Sequence, residues 1–124
     1  MRILVVDDDK NFRHSLVLYL TSNVWKVDEA ADGVEGWLKL KNNSYDAVIT
    51  DIEMPGMDGF ALRKRARQQK LETKFIYMSA YPSSSTKLKS TPFLIKPFVL
   101  EMLHNLLEKI VLEPNIKSRS GFIP

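Results

Sequence analysis

Six residues at the ends of four short apolar runs carry groups able to act together: Asp7, Asp8 and Asp9 after Ile3–Val6, Asp51 after Ala47–Thr50, Ser79 closing Phe75–Ser79, and Lys96 after Phe93–Ile95. Carboxylates crowded at one place repel unless a cation neutralises them. Carboxylates with water suit a hard divalent ion, Mg²⁺ or Mn²⁺, which also takes oxygens from a phosphate. A lysine beside them balances the remaining charge and can hold a phosphoryl oxygen. Such a set fits phosphoryl transfer to a carboxylate nucleophile, where positioning and electrostatics do most of the catalysis.

These residues are far apart in the chain, so the elements between them must bring them together. Ile3–Val6 is short, β-branched and ends in acid, as a strand buried on both faces does. Phe12, Leu16, Tyr19 and Leu20 follow at the spacing of one helix face. Val24–Ala30 is a half-polar strand. Asp32 is a helix N-cap, with Val34, Trp37 and Leu38 on the face of the helix behind it. After the Asp51 run, Pro55-Gly56 and Asp58-Gly59 mark a turn-rich loop, and Asp58 can cap a helix running to about Gln69. Phe75–Ser79 and Phe93–Ile95 read as the fourth and fifth strands. Val99, Leu103, Leu106 and Ile110 share a face of a last helix ending by Pro114. Strands alternating with helices of about ten residues imply βαβ crossovers and a parallel sheet covered on both faces. In such a sheet ligands bind outside the carboxyl ends of the strands, where all six residues fall.

Composition narrows the classes. The chain has 124 residues, 44% apolar and 27% charged, which suffices for the core of one domain without staples. It lacks cysteine, excluding a disulfide scaffold, a thiolate zinc site and a thiol nucleophile. No apolar run exceeds five residues, and the start reaches acid too soon for a signal peptide. A cytoplasmic setting without membrane contact is expected. Residues 1–60 hold 6 basic and 11 acidic groups, and residues 61–124 hold 12 and 4. The basic run of Arg63, Lys64, Arg65, Arg67, Lys70 and Lys74, opposed by Glu72, reads as a solvated helix face. No groove-reading motif accompanies it, so no direct nucleic-acid binding is expected. His14 and His104 read as surface helix residues, and Trp25 and Trp37 as packing residues.

In order and spacing, several blocks carry a resemblance. Leu4-Val5-Val6-Asp7-Asp8, the block Asp46-Ala47-Val48-Ile49-Thr50-Asp51-Ile52-Glu53-Met54-Pro55-Gly56-Met57-Asp58-Gly59, Met78-Ser79-Ala80 and Lys96-Pro97-Phe98 together resemble the receiver domain of two-component response regulators. The resemblance covers roughly residues 2–112. It implies one doubly wound, flavodoxin-like α/β domain over 1–113, with a five-stranded parallel sheet of order 2-1-3-4-5, and a tail or linker over 114–124.

The resemblance also implies roles. Asp51 would be the phosphoacceptor, taking a phosphoryl group from the phosphohistidine of a kinase or phosphotransfer protein. Asp8 and Asp51 would bind Mg²⁺ through their side chains, Glu53 through its backbone carbonyl, and Asp7 largely through metal-bound water. Asp9, one past the acidic pair, is a solvated or helix-capping acid. Ser79 falls at the switch hydroxyl and Phe93 at the switch aromatic. Lys96 would contact the phosphoryl oxygens, and the Lys96–Pro97 bond is expected cis. Glu53 and Tyr81 occupy positions that tune phosphoryl lifetime, and a negative Glu with a bulky Tyr predicts slow loss. The output would pass through the face of the fourth helix, fifth strand and fifth helix to an effector. Such a protein modifies only itself and is not an enzyme of other substrates.

The chain departs from the pattern between Ser79 and Lys96, which are 17 positions apart. Pro82–Thr91 is rich in poor helix formers and predicts a fourth helix that is short or disordered, which leaves a homodimer through that face open. Each residue also has a plainer use when taken singly. An acidic pair often caps a helix, Phe93 alone would be core, and Lys96 or Ser79 alone would be unremarkable. Four strand ends supplying the right types together argue against that. Two other readings are a receiver that binds its partner without phosphorylation, and a small phosphatase with Asp7 as nucleophile and Asp9 as acid/base.

Overall fold

The computed structural model describes residues 1–82 and 91–112. Its strands are β1 (Arg2–Val6), β2 (Lys26–Ala30), β3 (Ala47–Asp51), β4 (Lys74–Ser79) and β5 (Phe93–Ile95). Its helices, numbered in chain order, are α1 (Lys10–Thr21), α2 (Gly33–Asn42), α3 (Gly59–Gln68) and α4 (Leu100–Leu107), the last continued by a π-helical turn over Glu108–Leu112. Residues 83–90, where the short fourth helix was expected, and the tail from 113 lie outside the described residues.

All strand pairs are parallel, in the order β2-β1-β3-β4-β5. The expected doubly wound architecture is present. Side chains alternate across a strand, so Ile3 and Val5 join Leu16, Leu20, Ile49, Ile76, Met78, Leu103 and Leu107 under α1 and α4. Leu4 and Val6 join Leu40, Val48, Leu62, Ala66 and Phe75 under α2 and α3. The central strands are buried throughout β3 and nearly so in β1, whereas β2 and β5 are edges with exposed positions. Asp9, Asp32 and Asp58 cap α1, α2 and α3, accepting from the backbone N–H of Phe12, Glu35 and Ala61.

Four details depart from the hydrophobic pattern. Val34 and Leu38 face solvent, while α2 buries Gly33, Gly36 and Leu40 with Trp37 half-buried. A Cβ on Gly36 would sit 3.1 Å from Val6, so the close approach of α2 to β1 selects the glycine side as its inner face. The second strand begins at Lys26, because Val24 takes a left-handed turn with φ 67° and is 93% exposed. Val99 precedes α4 and is exposed, and Leu103 and Leu107 bury that helix, with Leu106 and Ile110 at the margin. His104 is no surface residue. Its ring stacks on Trp25 at 5.0 Å and its Nε2 lies 3.1 Å from Glu108. His14 is exposed, as expected, beside Glu29.

Most of the basic run is solvated: Lys64, Arg65, Arg67, Lys70 and Lys74 are exposed, Arg63 is half-buried against Tyr77, and none of the six forms an ion pair among the described residues. Among the described residues no helix is long and apolar enough to cross a membrane.

Candidate functional site

Register assembles the site. Val6 pairs with Ala30 on one side and Thr50 on the other, Asp51 with Met78, and Ser79 with Ile95. The carboxyl ends of β1, β3, β4 and β5 therefore finish at one edge, carrying Asp7, Asp51, Ser79 and Lys96. Carboxylate oxygens of Asp7, Asp8 and Asp51, one from each, lie within 4.8 Å of one another. Lys96 Nζ donates to Asp7 Oδ2 at 2.6 Å and lies 3.4 Å from Asp51 Oδ2.

Backbone contacts hold each strand end in place. Asp7 N donates to Ala30 O, Ile52 N to Met78 O, and Lys96 N to Ser79 O. The loop after β3 is closed by Gly59 N donating to Ile52 O. A Cβ at Gly59 would meet the Asp51 carbonyl oxygen at 2.4 Å, so only glycine allows α3 to start this close to Asp51. The Lys96–Pro97 bond is cis, as the resemblance implied.

Two supports were missed in the sequence reading. Arg13 is buried, donates through Nη1 to the Asp7 carbonyl at 2.8 Å, and pairs through Nε with Glu29 at 2.7 Å. Its position three before Leu16 and seven before Leu20 places an arginine on the inner face, which is a readable anomaly. Phe12 supplies a ring whose centroid is 4.5 Å from Lys96 Nζ, and Phe98 packs edge-on against that ring at 5.7 Å.

Asp51 is 7% exposed and Asp7 is fully buried, whereas Asp8 is exposed. Burial pushes the Asp51 carboxyl up to about 6; Lys96 works against that shift, while the Asp7 and Glu53 charges add to it. For Lys96, burial opposes its charge, but the hydrogen bond and charge of Asp7, with those of Asp51, outweigh it and raise its pKa. Three carboxylates face one lysine, an anionic surplus of hard oxygen donors that fits a divalent cation.

Asp9 is spent elsewhere. Its Oδ1 accepts from Phe12 N as the α1 cap and its own N–H binds Asp7 Oδ1. The Asp9 side chain is thus engaged at the start of α1, whereas Asp7 turns its Oδ2 to Lys96. Ser79, fully buried, donates to Glu53 Oε1 at 2.6 Å and accepts from Tyr81 N at 2.9 Å. The Tyr81 side chain is exposed. Phe93 is half-buried beside Ile52, Tyr77 and Phe60, with Tyr77 its partner in the sheet.

Comparison with known proteins agrees with this architecture. Residues 3–108 match the response regulator receiver domain. The chain is 37% identical over 108 residues to the response regulator MprA of Mycobacterium sp. (strain KMS), covering 83% of this chain and 47% of that protein. It is 32% identical over 129 residues to the transcriptional regulatory protein TcrA of Mycobacterium tuberculosis (strain ATCC 25618 / H37Rv), covering 100% and 48%. The chain thus spans about half the length of the curated relatives it matches. Among solved structures, the response regulator TrrA of Thermotoga maritima, in complex with Mg(2+)-BeF, superposes with TM-score 0.81 at 35% identity, covering 88% of this chain and 97% of that one. The strand order, the acidic cluster with its lysine and these likenesses agree, and the chain belongs to the response regulator receiver domain family of two-component signalling.

Proposed function

We propose that this domain is a phosphoaspartate switch in which Asp51 takes the phosphoryl group from a phosphohistidine of a kinase or phosphotransfer protein. The observation that carries the reading is the convergence of Asp7, Asp8 and Asp51 within 4.8 Å, with Lys96 bonded to the cluster. An Asp51 carboxyl oxygen forms the new P–O bond as the P–N bond breaks, and the departing imidazole takes up a proton. With a pKa near 6, Asp51 is ionised at neutral pH and available as nucleophile. Lys96 binds a phosphoryl oxygen, its Nζ held over the Phe12 ring that Phe98 packs against. Asp8, Asp51 and the Glu53 backbone carbonyl would hold Mg²⁺ or Mn²⁺, with Asp7 acting through water on the ion. Bound there, the ion neutralises charge between the carboxylates and the phosphoryl oxygens.

Ser79 then donates to the phosphoryl group and Phe93 turns inward, biasing a pre-existing equilibrium of the face around β5 and α4. An effector protein or domain reads that face, and a second copy of the chain can dock on it. A negative Glu53 and the bulky Tyr81 beside the site slow hydrolysis. Residues 1–113 form the switch and residues 114–124 a tail or linker, in a cytoplasmic setting.

Intact mass after incubation with Mg²⁺ and acetyl phosphate tests the reading, alongside Asp51→Asn. One added phosphoryl group, absent in the variant and in EDTA, is the expected result. A gain retained in Asp51→Asn would move the nucleophile elsewhere. No gain from acetyl phosphate or from a phosphorylated kinase would leave a binding module that works without phosphorylation.

A further inference from the structure

We propose that Glu53 is a latch that holds the Ser79 hydroxyl away from the phosphoacceptor, so that the switch is restrained by its own carboxylate. The proposal rests on the phosphoacceptor reading of Asp51 and adds a restraint to it. Ser79 ends β4 with no exposure, and its Oγ lies 2.6 Å from Glu53 Oε1. The same oxygen accepts the N–H of Tyr81 at 2.9 Å. Among the described residues the other acceptor in reach is the Tyr81 carbonyl, at 3.3 Å.

A hydroxyl has one proton to give. A 2.6 Å contact to a carboxylate is the short, charge-assisted kind, whereas 3.3 Å to a neutral carbonyl is weak. Of these two acceptors, Glu53 offers the shorter and stronger bond for that proton. Donation to a phosphoryl oxygen on Asp51 requires that bond to break first. Glu53 and the incoming phosphoryl group are rival anionic acceptors for one donor, and the competent arrangement is populated only to the extent that Glu53 lets go. The backbone fixes this rivalry: Glu53 follows Asp51 by two residues, and the Ile52 N–H is tied to Met78 O beside Ser79. The latch is a positioning device, because Glu53 acts on the reaction through Ser79.

Glu53 also carries a charge that repels a phosphodonor, so the experiment must separate a latch from bare repulsion. Uptake from acetyl phosphate in Mg²⁺, read by intact mass against time, is compared for the wild type, Glu53→Ala, Glu53→Asp and Ser79→Ala, and for Glu53→Ala/Ser79→Ala. A latch predicts about tenfold faster uptake in Glu53→Ala, about 1.4 kcal/mol. It predicts a similar gain in Glu53→Asp, whose carboxylate keeps its charge but recedes by about 1.5 Å, one C–C bond. It also predicts no gain from Glu53→Ala once Ser79 is Ala. Wild-type rates in Glu53→Asp, or a gain that survives in the Ser79→Ala background, would overturn the latch in favour of repulsion.

Urea unfolding of the same set in EDTA isolates the bond from the reaction. Non-additive midpoints for Glu53→Ala and Ser79→Ala show the two residues coupled, and additive ones overturn the latch even if Asp51 is phosphorylated. If coupling is present but no form takes up phosphoryl from acetyl phosphate or a kinase, the phosphoacceptor reading is what fails, and the latch loses its role with it.

Discussion

At the carboxyl end of β3, the fold resists ionisation of Asp51, and stability should carry the mark of it. The folded-state pKa is about 6 against 3.8 for the free side chain, so between those values the folded chain keeps a proton that the unfolded chain has released. Unfolding free energy in the absence of divalent ion should therefore fall as pH rises through about 4 to 6. Asp51→Asn removes the buried charge, and in EDTA it should be more stable than the wild type at pH 7.5, by on the order of 2 kcal/mol. The difference should shrink toward pH 4.5, which urea unfolding at the two pH values checks. The opposite sign holds at Asp28, which Tyr45 Oη binds at 2.6 Å and Arg2 at 3.1 Å. The Tyr45 bond chiefly lowers the Asp28 pKa, while burial, then Asp28, pushes Tyr45 up to about 12. Tyr45→Phe should cost about 1 kcal/mol near neutrality. The Asp28 part of that difference is present above about 4 and fades in acid. The Tyr45 part is full below 10 and fades as pH climbs toward 12.

Among the elements, the connection from β3 to α3 has the least freedom. Asp58 caps α3 at 2.8 Å, and Gly59 places that helix start against the Asp51 carbonyl. Asp58→Ala should cost about 1 kcal/mol by loss of the cap. Gly59→Ala should cost more, because its Cβ meets backbone at 2.4 Å and cannot be accommodated by a side-chain movement. It should also weaken divalent-ion binding by displacing Asp51, whereas Asp58→Ala leaves that binding near wild type. Thermal melts with and without Mg²⁺ distinguish the two. On the other face, Leu103→Ala empties a fully buried position between α4 and the sheet, and should cost about 2–5 kcal/mol in urea unfolding with Mg²⁺ binding retained.

For the molecule as a whole, the site couples separate parts of the chain, because its carboxylates come from just beyond β1 and from the end of β3, and its lysine from beyond β5. An ion that binds this edge binds the folded chain and not the unfolded one. Mg²⁺ at a hundredfold excess over its dissociation constant should then stabilise the whole domain by about 2.7 kcal/mol. Calorimetry should show a rise in Tm with Mg²⁺ in the wild type, and little or none in Asp8→Ala. A rise of equal size in that variant would place the ion elsewhere.

The sequence by itself determined the alternation of strand and helix, the caps at Asp32 and Asp58, and the carboxylates, hydroxyl and lysine carried by four strand ends. These are legible because strand burial, capping and turns depend on residues near one another in the chain. The inner face of α2 was not legible, since Gly36 is buried by the closeness of β1 and not by its own hydrophobicity. The Arg13–Asp7 contact left a trace, an arginine on the buried face of α1, but its partner could not be read from spacing. Tertiary structure alone decided that Lys96 bonds Asp7 more closely than Asp51, and that Ser79 donates to Glu53. Both depend on parallel register across the sheet, which brings residues 89 and 26 positions apart to within 2.6 Å, and no local pattern encodes distances of that kind.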